Sequence, residues 1–205
     1  MGKQNLIFDF DDTMIATSPL FVEYINKAWN IQSTESDYKN NDEIHKVVQM
    51  YKNDQTITFN QVYDDYRKNF AMSEKWQDRI EPMPDMCKIV PLLSEKYNLH
   101  IATKRNNKCL YLIHKILDKY IPGYIESVYC AIKYTDDLGY IEMRKRDFIL
   151  GLDGQSIAFV DDSKHEIDDV KWLIPSYLFD PKNKYGYIYG VRSIRSWQEI
   201  GEIFL

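Results

Sequence analysis

Two textures of apolar residues run along the chain. Leu6-Ile7-Phe8 is a short unbroken run that stops at Asp9, the pattern of a strand buried on both faces. Thr17-Ser18-Pro19 follows, a cap candidate with proline at a helix start. Phe21, Tyr24, Ile25, Ala28 and Trp29 then recur at helical spacing and predict a helix reaching Asn30. The spacing stays helical from Ile31 to Ile80. Ile44, Val47, Val48 and Tyr51 form one stripe; Phe59, Val62, Tyr63, Tyr66 and Phe70 form another, with Thr58 placed to cap it. No strand is predicted in this stretch, and Glu81-Pro82-Met83-Pro84 reads as a hinge.

Beyond the hinge, strands and helices alternate. A helix over Asp85–Tyr97 leads into Leu99-His100-Ile101-Ala102, a strand ending at Thr103. Asn106 or Asn107 caps a helix carrying Leu110, Ile113, Ile116 and Leu117, and Val128–Ile132 is strand-like. A helix over Arg146–Leu150 precedes the strand Ser156–Val160, which ends at Asp161-Asp162. A helix over Glu166–Leu173, the run Tyr177-Leu178-Phe179 and a terminal helix opening at Ser196-Trp197 complete the pattern. Such alternation predicts a parallel sheet covered by helices on both faces.

Composition narrows the function classes. The 205 residues are 44% hydrophobic, enough for a real core. The net charge of −5 gives no general attraction to nucleic acid or anionic membrane, so an anionic substrate needs a bound cation or a few placed basic residues. No apolar run approaches the ~20 residues of a membrane helix, and the one near the N-terminus is too short for a signal peptide. Gly2 lacks the Ser or Thr at position six that myristoylation prefers, since Leu6 stands there. Cys87, Cys109 and Cys130 are odd in number and never paired as C-x-x-C, which fits reduced thiols in a cytoplasmic protein.

The chemistry sits where three apolar runs end. The first ends in Asp9-Phe10-Asp11-Asp12-Thr13, the second in Thr103-Lys104-Arg105 and the third in Asp161-Asp162-Ser163. Open parallel sheets bind ligands beyond the carboxyl ends of their strands, so neighbouring strands would bring these groups into one crevice. Asp9 and Asp11 are two residues apart and share a face in extended chain. Carboxylates held together favour either a bound cation or a raised pKa on one of them, and an all-carboxylate set without His or Cys favours Mg²⁺ over zinc. Taken alone, Asp9–Thr13 also reads as a turn, Thr103 as a strand-end cap, and Lys104 and Arg105 as solvated. Lys104 is nevertheless kept as a candidate phosphate ligand.

These pieces, in this order and across nearly the whole chain, resemble the haloacid dehalogenase superfamily of aspartate-nucleophile phosphatases. Asp9-Phe10-Asp11-Asp12-Thr13 is similar to its D-x-D-x-T motif, Thr103 to its second motif, and Asp161-Asp162 to its acidic fourth motif. The third motif, a lone Lys or Arg, is assigned to Lys145, with Lys133 as a rival. Asp12 stands where many relatives have Gly, and Glu166 about where some carry a further Asp.

The resemblance implies a Rossmann-like, three-layer α/β core (residues 1–16 and 85–205) with a small all-helical cap inserted at 17–84. It implies Asp9 as nucleophile and Asp11 as proton shuttle. Mg²⁺ would be held by Asp9, Asp162, the Asp11 main-chain carbonyl and Asp161. Phosphoryl oxygens would be bound by Thr103, Lys145 and amides of the Phe10–Asp11 segment. The expected activity is hydrolysis of a small phosphorylated metabolite, a nucleotide monophosphate or sugar phosphate. Phosphotransfer or mutase chemistry and a catalytically silent scaffold are the alternatives. Dehalogenation is disfavoured, because a leaving halide gives Asp11 nothing to protonate. The cap's aromatics, Phe21, Tyr24, Trp29, Tyr63 and Tyr66, are read as core before base-stacking groups.

Overall fold

The computed structural model describes residues 2–38, 44–135 and 139–205. The chain divides into two compact units, one made of Met1–Ile15 with Pro82–Leu205 and the other of Ala16–Glu81.

The first unit is built on a seven-stranded sheet. Its elements are β1 (Gln4–Phe8), α5 (Met86–Lys96), β2 (Tyr97–Asn106), α6 (Leu110–Tyr120), β3 (Ser127–Thr135), β4 (Gly139–Glu142), α7 (Lys145–Gly151), β5 (Ser156–Asp161), α8 (Lys164–Val170), β6 (Ser176–Phe179), β7 (Arg192–Ile194) and α9 (Trp197–Phe204). The order across the sheet is β4-β3-β2-β1-β5-β6-β7. Every neighbouring pair is parallel except β3 with β4. Leu6, Ile7 and Phe8 are wholly buried because β1 is central and covered on both faces. Ile7, Ala102, Phe159 and Leu178 pack on one face against Ile149 of α7 and Ile167 and Val170 of α8. Phe8 points to the opposite face, where its ring lies 5.1 Å from that of Trp197 in α9.

Register brings the loaded strand ends together. Phe8 pairs with Ile101 on one side and Val160 on the other. Asp9 therefore leaves the sheet level with Ala102, one residue before Thr103, on one side and with Asp161 on the other, its amide donating to the Val160 carbonyl at 2.8 Å. The chain runs outward from β1 to β2 and β3 on one side and to β5 and β6 on the other. Asp9 thus stands at the switch point of a doubly wound sheet, where such folds bind ligands.

Three details differ from the sequence expectation. β2 continues through Thr103 to Asn106. Thr103 pairs with Cys130 but Asn106 with Ile132, so β2 spends one residue more than its partner. This is a bulge, and it falls on Lys104-Arg105. The short strands β4 and β7 are absent from the sequence expectation, since four and three residues carry too little periodicity to read. Among the described residues no helix is long and apolar enough to cross a membrane, and all three cysteines are free.

The second unit is helical in its described residues, with α1 (Ser18–Trp29), α2 (Ile44–Lys52), α3 (Phe59–Tyr66) and α4 (Glu74–Gln77). Residues 39–43, within the stretch expected to be helical, lie outside the described residues. Thr58 caps α3 as expected, in a reciprocal box with Gln61. Phe21, Tyr24, Ile25, Ile44, Val48, Val62, Phe70 and Trp76 form the core. Phe21 and Tyr24 of the expected aromatic set lie in this core and Tyr66 packs against it, whereas Tyr63 lies outside the cluster and stacks on Phe59 with ring centroids 5.1 Å apart. Tyr24 donates its hydroxyl to Asp65 at 2.7 Å, and Trp29 packs against the cluster.

Candidate active site

Asp9 is the first residue beyond β1 and is buried. The loop after it turns at once. The Met14 and Ile15 amides return to the Phe10 carbonyl, and the Asp12 amide donates to the Ile15 carbonyl at 2.7 Å. Asp12 adopts φ +56°, the left-handed region that glycine occupies most easily and that Asp tolerates better than most residues. Trp197 donates its indole N–H to the Thr13 carbonyl at 2.9 Å and ties α9 to the loop.

Asp161 ends β5 and Asp162 follows it. Ligand atoms of Asp9, Asp161 and Asp162 all lie within 4.8 Å of one another. Lys145, the first residue of α7, reaches into this cluster with only 2% of its side chain exposed. Its Nζ donates to Asp9 Oδ1 at 2.5 Å and to Asp161 Oδ2 at 2.7 Å. Asp161 Oδ1 accepts from the Ser163 amide at 2.8 Å.

One ammonium faces three carboxylates. Burial, then Asp161 and Asp11, hold the Asp9 carboxyl well above the usual range although Lys145 opposes them. Burial, then Asp12, Asp161 and Asp9, do the same to Asp162, which retains some exposure. Burial acts against the charge on Lys145, but Asp161 and Asp9 outweigh it and its pKa is raised. Lys145 is thus a fixed cation in a site that still carries surplus negative charge. The donors are all hard oxygens, closely spaced and undercompensated, and this set fits a small divalent cation such as Mg²⁺.

Thr103 lies fully buried beside β1, its Oγ1 accepting from the Arg105 amide at 3.1 Å. Phe10 is buried as well. Lys133, the rival lysine, is exposed and its Nζ stands 5.8 Å from the centre of the Tyr129 ring. Lys104, expected on phosphate, is held by Glu142 and by Glu166 at 3.3 Å. The Asp11 carboxylate is not part of the acidic cluster. Arg105 grips it through Nε to Oδ2 at 2.8 Å and Nη2 to Oδ1 at 2.7 Å. Arg105, which taken alone reads as solvated in the sequence, is therefore part of the site. The bulge that aims it at Asp11 has no local signature in the sequence.

With this geometry in hand, comparison with known proteins decides the family. The sequence profile of the haloacid dehalogenase-like hydrolases matches residues 6–171, most of the chain. The chain belongs to this family. Solved structures agree in fold. YfnB from Bacillus subtilis, described as bound to magnesium, superposes with a TM-score of 0.67 at 16% identity, covering 100% of this chain and 99% of that one. A predicted phosphatase from Clostridium acetobutylicum gives 0.64 at 16% identity, with 99% and 98% coverage. A predicted phosphoglycolate phosphatase from Haemophilus somnus gives 0.64 at 16% identity, again with 99% and 98% coverage. No curated protein matches the sequence. The chain is accordingly a hydrolase of the haloacid dehalogenase-like fold.

Proposed function

We propose that this hydrolase is a Mg²⁺-dependent phosphatase of small phosphate monoesters, with Asp9 as nucleophile. The observation that carries the reading is the convergence of Asp9, Asp161 and Asp162 on the Lys145 ammonium at the sheet's switch point. Asp9, Asp161, Asp162 and the Asp11 main-chain carbonyl would hold the cation. When bound, it would screen the repulsion between an anionic nucleophile and an anionic phosphate.

The chain's own residues carry the steps. An Asp9 carboxylate oxygen attacks phosphorus, and the bond to the leaving oxygen breaks as the bond to Asp9 forms. Asp11 delivers a proton to the departing alkoxide. It then takes one from the water that attacks the aspartyl-phosphate, which releases phosphate and restores Asp9. Lys145, Thr103 and main-chain amides of the Phe10–Asp11 segment bind the phosphoryl oxygens, where charge concentrates in the transition state. Lys104 has no part in this reading, since Glu142 and Glu166 already engage it.

The helical unit Ala16–Glu81, inserted directly after the acidic loop, serves as a cap that selects the leaving group. Its core aromatics Phe21 and Tyr24 are committed to internal packing. Substrates are small phosphorylated metabolites, with nucleotide monophosphates and sugar phosphates first. Phosphatase names among the structural relatives support this class. The test is hydrolysis of p-nitrophenyl phosphate with Mg²⁺ and with EDTA. Activity is expected only with the metal and is expected to vanish in Asp9→Asn; activity surviving that substitution sinks the nucleophile assignment.

A further inference from the structure

The proposed chemistry gives Asp11 a proton to deliver but does not say what aims it. Asp11 follows a strand end in a tight loop, and 29% of its side chain is exposed. A short carboxylate in that setting has several rotamers open to it. Arg105 removes that freedom. Its side chain is only 5% exposed, its guanidinium lies 5.1 Å over the Phe10 ring, and its two parallel N–H bonds occupy both Asp11 oxygens. A fork-to-fork pair fixes the plane of the carboxylate as well as its distance, which an ammonium cannot do.

The arginine is itself fixed by the extra residue that β2 carries between Thr103 and Asn106. The bulge re-aims a side chain of the sheet toward the loop beyond β1. The same two-residue step hydrogen-bonds the Arg105 amide to Thr103 Oγ1. Thr103 and Arg105 are thus tied together where β2 ends beside β1, with the arginine on Asp11. A guanidinium already forked on a carboxylate and closed off from solvent is poorly placed to receive a substrate phosphate.

We propose that Arg105 is the positioning residue for Asp11, holding its carboxylate in the orientation from which it serves the leaving group. The inference rests on the phosphatase reading, and it predicts a specific pattern. Loss of Arg105 harms the reaction in proportion to how much the leaving group needs a proton. p-Nitrophenol departs readily as an anion; unsubstituted phenol needs assistance far more.

The experiment measures kcat and KM for aryl phosphates, from p-nitrophenyl to phenyl phosphate, with Mg²⁺. The proteins are wild type, Arg105→Lys, Arg105→Gln, Asp11→Asn and the double variant Asp11→Asn/Arg105→Lys. Thermal melts identify any variant that does not fold. For wild type, kcat is expected to depend weakly on the leaving group. In Arg105→Lys and Arg105→Gln, kcat/KM, which reports the step that expels the leaving group and not the later hydrolysis of the aspartyl-phosphate, is expected to fall about 10–100-fold for phenyl phosphate and less than about twofold for p-nitrophenyl phosphate. Because Arg105 acts through Asp11, the double variant is expected to match Asp11→Asn alone. An equal loss of kcat/KM across the series, or a double variant that multiplies the two single losses, overturns the assignment. A wild type inactive on every phosphate overturns the phosphatase reading itself, and this inference with it.

Discussion

Removing the Lys145 ammonium tests whether the acidic cluster is held together as described. Lys145→Met keeps most of the side-chain volume and leaves Asp9, Asp161 and Asp162 facing one another without their buried cation. Breaking a buried ion pair by deleting one partner costs about 3–5 kcal/mol, because the remaining charge stays desolvated. Here the deleted group serves two carboxylates at 2.5 and 2.7 Å, so the upper half of that range is expected. With a urea m value of about 2 kcal/mol/M, the midpoint at neutral pH in EDTA moves down by about 2 M. Mg²⁺ is expected to restore more stability to the variant than it adds to wild type, since it supplies the missing charge.

The pH dependence has a definite sign. The Asp9 carboxyl has a folded-state pKa raised above its unfolded value. Its contribution to stability is present at low pH and lost as pH rises through the folded pKa. Deleting Lys145 raises that pKa further, so the deficit of the variant is expected to shrink as pH falls. Urea titrations of both proteins, with and without Mg²⁺, at several pH values read all three effects. A midpoint change below about 0.5 M in EDTA, or identical Mg²⁺ stabilisation of both proteins, would refute the reasoning.

Three further outcomes follow from other contacts. Asp162→Asn relieves repulsion from Asp12, Asp161 and Asp9. In EDTA its melting temperature is therefore expected to equal or exceed that of wild type, and the rise on adding Mg²⁺ to disappear in thermal scans. His100 is buried between Asn5 and Ser127, and burial lowers its pKa. The unfolded chain then binds the extra proton first, and this group's contribution is lost below about pH 6.5 with a slope of at most about 1.4 kcal/mol per pH unit. His100→Gln is expected to flatten that acid limb in denaturation measured across it. Trp197→Phe keeps a ring against Phe8 but leaves the Thr13 carbonyl without its indole donor. A stability loss of about 1–3 kcal/mol and a lower kcat are expected from urea melts and phosphatase assays.

Much of the site was legible in the sequence because its parts obey local rules. Leu6-Ile7-Phe8 and the run before Asp161 read as buried strands, and buried parallel strands deliver their final residues to one edge of a sheet. The pairing of Phe8 with Ile101 and Val160 sets Asp9 level with Asp161 and one residue short of Thr103, all at the same edge of the sheet. Lys145 was harder, because a basic run such as Arg144-Lys145-Arg146 looks solvated until the fold buries its middle member. The grip of Arg105 on Asp11 was not legible. It depends on one surplus residue in β2, and a bulge is set by how two strands pair rather than by the residues that form it. The strands β4 and β7 escaped for a related reason, since so short a segment becomes a strand through the neighbour it pairs with.

The central claim, that Asp9 is the group that bonds to phosphorus, has a direct measurement. Asp11→Asn treated with a phosphorus-labelled aryl phosphate and Mg²⁺, then quenched in acid, is predicted to carry label on the peptide containing Asp9. The label should accumulate because the variant's side-chain amide cannot take a proton from the water that clears the intermediate, and hydroxylamine should release it as it does other acyl phosphates. Label on any other residue, or turnover with none bound to the protein, would contradict the account.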